Sequence, residues 1–265
     1  MIVCFDFYFN FTFLKKMKNT LHNSCCSFLI LSILFFNCFD SVCAQQGFTP
    51  QRSLDSRAAN AMTDLKNRVS RKQDTPKNVK GSYYFAKNFV LSKVVYFGKE
   101  LKEKAYLRYN AANDEIEMGK NSSQKDSEEI LLRSSQVDAL INNEYYKFLN
   151  HKSRNKNIPI EGYLIVLTNN KKYSLFMKKK KVYMKEVKAQ TSLQRSSPAR
   201  FISNTSYFYS VDEKTPSHLK VSKTNLFKIF EGNSKPIKTF IKDKKLKIKK
   251  TEDLIQIFDY ASSLD

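Results

Sequence analysis

From Gly81 to Val211 the apolar residues fall mostly at every second position, in short runs broken by pairs of turn-forming residues. Side chains alternate between the two faces of a strand, so this period gathers the apolar set on one face. Val94 and Tyr96 lead into Gly98-Lys99. Tyr106 and Arg108 lead into the turn Tyr109-Asn110-Ala111-Ala112-Asn113-Asp114. Glu115-Ile116-Glu117-Met118 then alternates on the way out, and Gly119 ends the run. Gln136 to Ile141 and Glu144 to Leu149 flank Asn142-Asn143, a pair that tolerates positive φ and so predicts a tight hairpin. Gly162 to Leu167 is the strongest strand signal. Asn169-Asn170 turns it into Lys172 to Met177, where Tyr173, Leu175 and Met177 share a face; Val182 to Val187 and Tyr207 to Val211 add further strand. Residues 120–128 and 150–157 are polar and predict loops.

Helical spacing flanks this region. Leu54, Ala58, Ala61, Met62, Leu65 and Val69 predict a thin, peripheral helix over 52–72, followed by a polar linker at 73–80. At the other end Leu226, Phe227, Ile229 and Phe230 form a short stripe stopped by Gly232. Ser234 is positioned to cap a helix with Pro236 in its first turn. Leu246 and Ile248 read as an extended link. Thr251 is positioned to cap a last helix, with Glu252 and Asp253 at its positive end and Leu254, Ile255, Ile257, Phe258 and Ala261 on its buried side.

The N-terminus reads as an export signal. Lys15, Lys16 and Lys18 precede the apolar run Phe28–Phe36, and Val42 and Ala44 supply the small-residue pattern for cleavage between Ala44 and Gln45. The run is too short for a membrane span, which needs about 20 apolar residues. Met17 opens an ordinary signal sequence, which makes residues 1–16 an upstream extension. All five cysteines (Cys4, Cys25, Cys26, Cys38, Cys43) precede the expected cut. The exported chain of 45–265 then has neither disulfides nor thiolate metal sites and must hold together by packing.

Charge is the next strongest signal. The 265 residues include 46 Lys and Arg against 25 Asp and Glu, a formal charge of +21. Residues 1–44 remove only three lysines, Asp6 and Asp40, leaving 43 basic and 23 acidic residues, of which 34 are Lys and 9 Arg. Lysine is a hydrated point charge and arginine a planar fork, so the excess favours diffuse attraction to anions over shaped recognition. Lys178-Lys179-Lys180-Lys181 is the densest run. It reads as a contact for lipid phosphates, acidic polysaccharide or nucleic acid, or as a sheet edge that lysines protect from unwanted pairing. Tyr173, Phe176 and Tyr183 nearby offer stacking platforms or core.

Catalytic motifs fail on inspection. Gly119-Lys120 lacks the rest of a phosphate loop, since Asp114 and Asn121 stand where glycine and a hydroxyl residue are needed. His151 and His218, both in polar sequence, have no helical ligand spacing, and no G-x-S-x-G elbow accompanies them. Glu115 and Glu117 share a strand face about 7 Å apart, which suits glycoside hydrolysis or calcium. A solvated outer face, opposite Ile116 and Met118 and balanced by Arg108 and Lys104, is the simpler account.

Several segments resemble a known family. They are Gly81-Ser82-Tyr83-Tyr84, Leu107-Arg108-Tyr109-Asn110-Ala111 followed by Asp114-Glu115-Ile116-Glu117, Glu161-Gly162-Tyr163, Tyr173-Ser174-Leu175 and the tail from Phe227 to Tyr260. Over residues 81–262 the chain resembles an uncharacterised family of exported Bacteroidota proteins of flavobacterial type. The resemblance implies export and a Gram-negative envelope, and lends no catalytic residue, ligand or partner.

The expectation is therefore a mainly β, α+β protein. Its parts are a signal segment at 1–44, a polar tail, helix and linker at 45–80, antiparallel hairpins at 81–215 forming a barrel or sandwich, and a helical segment at 216–265 packed on them. Functionally it reads as an exported, periplasmic or extracellular, non-enzymatic envelope protein. No cofactor or metal is expected, and no transmembrane segment after cleavage. Lys178–Lys181 is the anion-contact candidate toward acidic polysaccharide or lipid, with no specific nucleic acid. A carboxylate-dependent hydrolase of an envelope polymer and a nucleic-acid binder are the alternatives.

Overall fold

Alternating sequence becomes antiparallel sheet throughout. The computed structural model describes residues 61–68, 79–127, 129–153, 159–191 and 193–264, all within one compact unit spanning 53–265. The Ala44–Gln45 junction, the cysteines and the first part of the expected N-terminal helix lie outside the described residues.

The strands are β1 (Lys66–Arg68), β2 (Val90–Tyr96), β3 (Lys99–Glu100), β4 (Ala105–Asn110), β5 (Glu115–Gly119), β6 (Glu129–Leu131), β7 (Val137–Ile141), β8 (Glu144–Lys152), β9 (Pro159–Asn169), β10 (Tyr173–Met184), β11 (Arg200–Val211) and β12 (Ser217–Leu219). They run in the order β1-β6-β5-β4-β2-β7-β8-β9-β10-β11-β12, with β3 beside β2. The strand ladders are antiparallel and mostly join sequence neighbours, as short connections dictate. β1 and β12 are the two ends of the order, so the sheet is open and is not a closed barrel. The Asn142-Asn143 turn forms as its residue types require, with φ of 50° and 63°.

β2 joins two strand groups. Val90–Ser92 pair with β4, while Lys93–Tyr96 pair with β7. The β4–β5 turn meets β9 and β10, where the Lys181 N–H donates to the Ala111 carbonyl at 2.9 Å. Val94, Leu107, Ile116, Leu131, Val137, Tyr163, Ile165 and Met177 form a core drawn from both groups. A second core lies between the β10–β12 end and the helices α1 (Lys223–Ile229), α2 (Ser234–Asp243) and α3 (Thr251–Ser263). Tyr173, Leu175, Leu219, Leu226, Phe230, Ile237, Leu254, Ile257 and Phe258 fill it.

Several local expectations change. The helix expected over 52–72 holds at residues 61–64 but gives way to β1, which pairs with β6, and Met62 and Leu65 are buried in the first core rather than peripheral. β8 runs on through Asn150, His151 and Lys152, which pair with Glu161, Ile160 and Pro159, where a loop was expected. β10 passes unbroken through all four lysines. Thr251 is the first residue of α3, not its cap; its hydroxyl instead meets the Tyr207 hydroxyl at 2.7 Å. Asn233 takes the cap position of α2 in place of Ser234. No helix among the described residues is long and apolar enough to cross a membrane.

Candidate anion-binding surface

Two acids at the β4–β5 turn, Glu117 and Asp114, are engaged internally. Glu117 faces Arg108 across the β4–β5 ladder, and both are buried, which corrects the expected solvated face. Arg108 Nε and Nη2 donate to Glu117 Oε2 at 3.0 and 2.5 Å. Asn110 Nδ2 and the Tyr84 hydroxyl donate to the same carboxylate. The guanidinium lies between the Tyr84 and Phe89 rings, 3.9 and 4.1 Å from their centroids, and also donates to the carbonyls of Lys87 and Lys125. Burial and the Glu117 charge push the Tyr84 hydroxyl well above its ordinary range. Lys104, the other expected partner, is exposed.

Asp114 is similarly engaged. The Tyr109 hydroxyl donates to its Oδ1 at 2.6 Å and Lys178 Nζ to its Oδ2 at 2.7 Å. Gly162 makes room for this pair: a Cβ there would lie 2.2 Å from Asp114 Oδ2 and 2.5 Å from Lys178 Nζ. Glu115 accepts from Asn113 at 3.3 Å. No group of three or more His, Cys, Asp or Glu among the described residues is arranged to hold a metal.

The four-lysine run is split by strand alternation, which sends 178 and 180 to one face and 179 and 181 to the other. Lys178 is spent on Asp114. Lys179 pairs with Glu144, which also accepts from the Tyr146 hydroxyl. Lys181 donates to Ser203 and sits over the Phe85 ring. Only Lys180 is exposed. His151, expected in a polar loop, is fully buried; Nδ1 meets the Leu149 carbonyl, the ring packs edge-on to Phe208, and Nε2 has no partner among the described residues. His218 lies in β12 with its ring edge-on to Phe208 from another side.

A denser free charge lies where no contact was expected. Lys235, Lys238, Lys242, Lys244, Lys245, Lys247, Lys249 and Lys250 occupy α2 and the α2–α3 connection, and all eight are exposed. Asp243 is the only acid between Lys235 and Lys250. Among the described residues none of these eight ammonium groups is paired with a carboxylate. Lys235, Lys238 and Lys242 follow helical spacing beside the buried stripe of Ile237 and Ile241, so packing α2 onto the second core fixes that row outward. Asp253 ties the connection back, accepting from the Lys247 backbone N–H at 2.6 Å. The pattern is visible in the sequence but is interrupted by Ile237, Phe240, Ile241, Leu246 and Ile248, so it reads as amphipathic helix and link rather than as a charge run. A shallow depression between α1 and α2, lined by Thr224, Phe227, Lys228, Glu231 and Ser234, adjoins it.

No family model, curated protein or solved structure matches this chain.

Proposed function

We propose that the protein is an exported, non-enzymatic envelope protein that adsorbs to acidic polymer or lipid through its lysine-bearing helical end. The observation that carries this reading is the set of eight exposed lysines between 235 and 250 with a single acid among them. Crowding like charges is unfavourable to the fold through self-repulsion, and an anionic surface relieves it. Each lysine near such a surface contributes about 1 kcal/mol at most, so several acting together give weak, salt-dependent adsorption. Lysine rather than arginine suits contact without fixed geometry. The export pattern ending at Ala44 and the sequence resemblance support reading that surface as one of a Gram-negative envelope, in the periplasm or outside the cell. The non-enzymatic part is supported by one member of the Glu115 and Glu117 pair the sequence offered for chemistry: Glu117 is held by the buried Arg108.

Changing Lys238, Lys242, Lys244, Lys245 and Lys247 to Gln should abolish most retention on anionic vesicles and on an acidic polysaccharide at low salt. Changing Lys180 and Lys181 to Gln should leave most of it. The reverse ranking would return the contact to the β10 run.

A further inference from the structure

β10 and β11 are longer than the sheet that supports them. β9 pairs with β10 only over Ser174–Met177, and β12 pairs with β11 only over Tyr207–Tyr209. Past the Lys181 N–H, which is still bonded to the Ala111 carbonyl, residues 182–184 and 200–202 continue as a two-stranded ribbon. It extends further through the Val187–Ser197 bridge, with paired backbone hydrogen bonds of 2.8 Å each way. One face of the ribbon is occupied. Tyr83 packs on Phe201 at 4.5 Å, Tyr183 packs on Phe201 at 5.5 Å, and Lys80 brackets the β11 end through its backbone.

On the other face Val182, Met184 and Ile202 stand beside Lys180 and Arg200, and the tip carries Val187 and Leu193. Val182 and Ile202 are cross-strand partners, 37% and 39% exposed; Met184 is 45%, Val187 60% and Leu193 95% exposed. Lone exposed apolar residues are ordinary, but five within one hairpin mark an interaction surface. Its flanks are basic. Lys180, Lys185, Lys188, Arg195 and Arg200 lie in the same hairpin, and Glu186 is the one acid between 180 and 203.

We infer that the β10–β11 ribbon is a lipid contact, whose tip enters the headgroup and upper acyl region of an anionic membrane surface while its basic residues stay among the phosphates. The inference rests on the proposed adsorption to acidic surfaces and commits it, at this element, to lipid. An acidic polysaccharide satisfies the cations but offers no apolar phase for Val182, Ile202 and Leu193. A second copy brings the same positive ribbon against itself, which like charge opposes. A bilayer interface supplies both chemistries within the roughly 5–10 Å to which interfacial apolar faces are buried. Val182, Met184 and Ile202 are already partly shielded by strand neighbours, so insertion adds to the electrostatic attraction and does not replace it.

The chain has no tryptophan, so a single introduced one reports its own surroundings. In the full chain carrying Val187→Trp, vesicles of phosphatidylglycerol and phosphatidylcholine should shift the emission to the blue, and acyl-chain-brominated lipid should quench it. An acidic polysaccharide should do neither. Leu91→Trp, on an exposed position of β2, should stay unshifted. Co-sedimentation with vesicles without a response at position 187, or with an equal response at position 91, overturns the ribbon inference and leaves the adsorption reading standing. Binding to the polysaccharide but not to vesicles overturns the ribbon inference and restricts that reading to polymers. Binding to neither overturns both.

Discussion

Arg108 shows how one residue ties three parts of the chain. It bonds Glu117 on the neighbouring strand, the carbonyl of Lys87 before β2, and the carbonyl of Lys125 beyond β5, with Tyr84 and Phe89 above and below. Removing one partner of a buried ion pair leaves the other charged and unpaired, at a cost of about 3–5 kcal/mol. Arg108→Met or Glu117→Gln should therefore lower the urea midpoint sharply; a change of under about 1 kcal/mol would mean that water already reaches the pair. The pairing was legible from strand register, which sets Arg108 opposite Glu117. The burial was not, because the rings that cover the pair come from residues 84–89, whose position no local period announces. His151 carries a separate sensitivity. Burial lowers its pKa below the ordinary 6.5, as does Lys178, while the Leu149 carbonyl and Asp114 oppose the shift. With the folded value depressed, the neutral ring is the stable form, so its contribution is full above about pH 6.5 and is lost as the pH falls below that toward the lower folded value. Unfolding midpoints measured from pH 7.5 to 5.5 should fall, and His151→Phe should flatten that fall. Parallel profiles would place the acid-sensitive group elsewhere.

At the scale of elements, hairpins were the most readable feature, because period two and the Asn142-Asn143 turn act locally. The misread elements are those that tertiary partners decide. Residues 66–68 have helix-compatible spacing but gain a ladder with β6, and His151 is carried into the sheet by its pairing with Ile160. In β10 the lysines look like an exposed patch in one dimension, yet alternation and the neighbouring turn deliver Lys178 and Lys179 to Asp114 and Glu144. The helical end packs as its spacing implies. Phe258 is fully buried in α3, with Phe230 edge-on at 5.1 Å. Phe258→Ala should cost about 3–5 kcal/mol, the usual range for emptying such a site. It should also loosen α2 and its lysines. A melt indistinguishable from the parent would show that the helices are not docked on the sheet.

For the whole molecule, charge magnitude is read directly from composition, whereas charge availability depends on folding. The fold neutralises part of the most obvious run and leaves the interrupted one at 235–250 exposed. Diffuse attraction of this kind weakens as salt shortens the Debye length from about 10 Å at 0.1 M to about 3 Å at 1 M. The most direct measurement is the fraction of protein bound to anionic vesicles and to an acidic polysaccharide across that salt range. Binding to both should be clear at low salt and fall steeply and continuously; on the polysaccharide it should be nearly gone at about 1 M, with little preference among polymers of similar charge density, while insertion of the ribbon leaves vesicles the better retained of the two. Binding that survives about 1 M salt on one polymer alone would contradict electrostatic adsorption and require a shaped site; no binding at low salt would leave the lysines without an anionic partner.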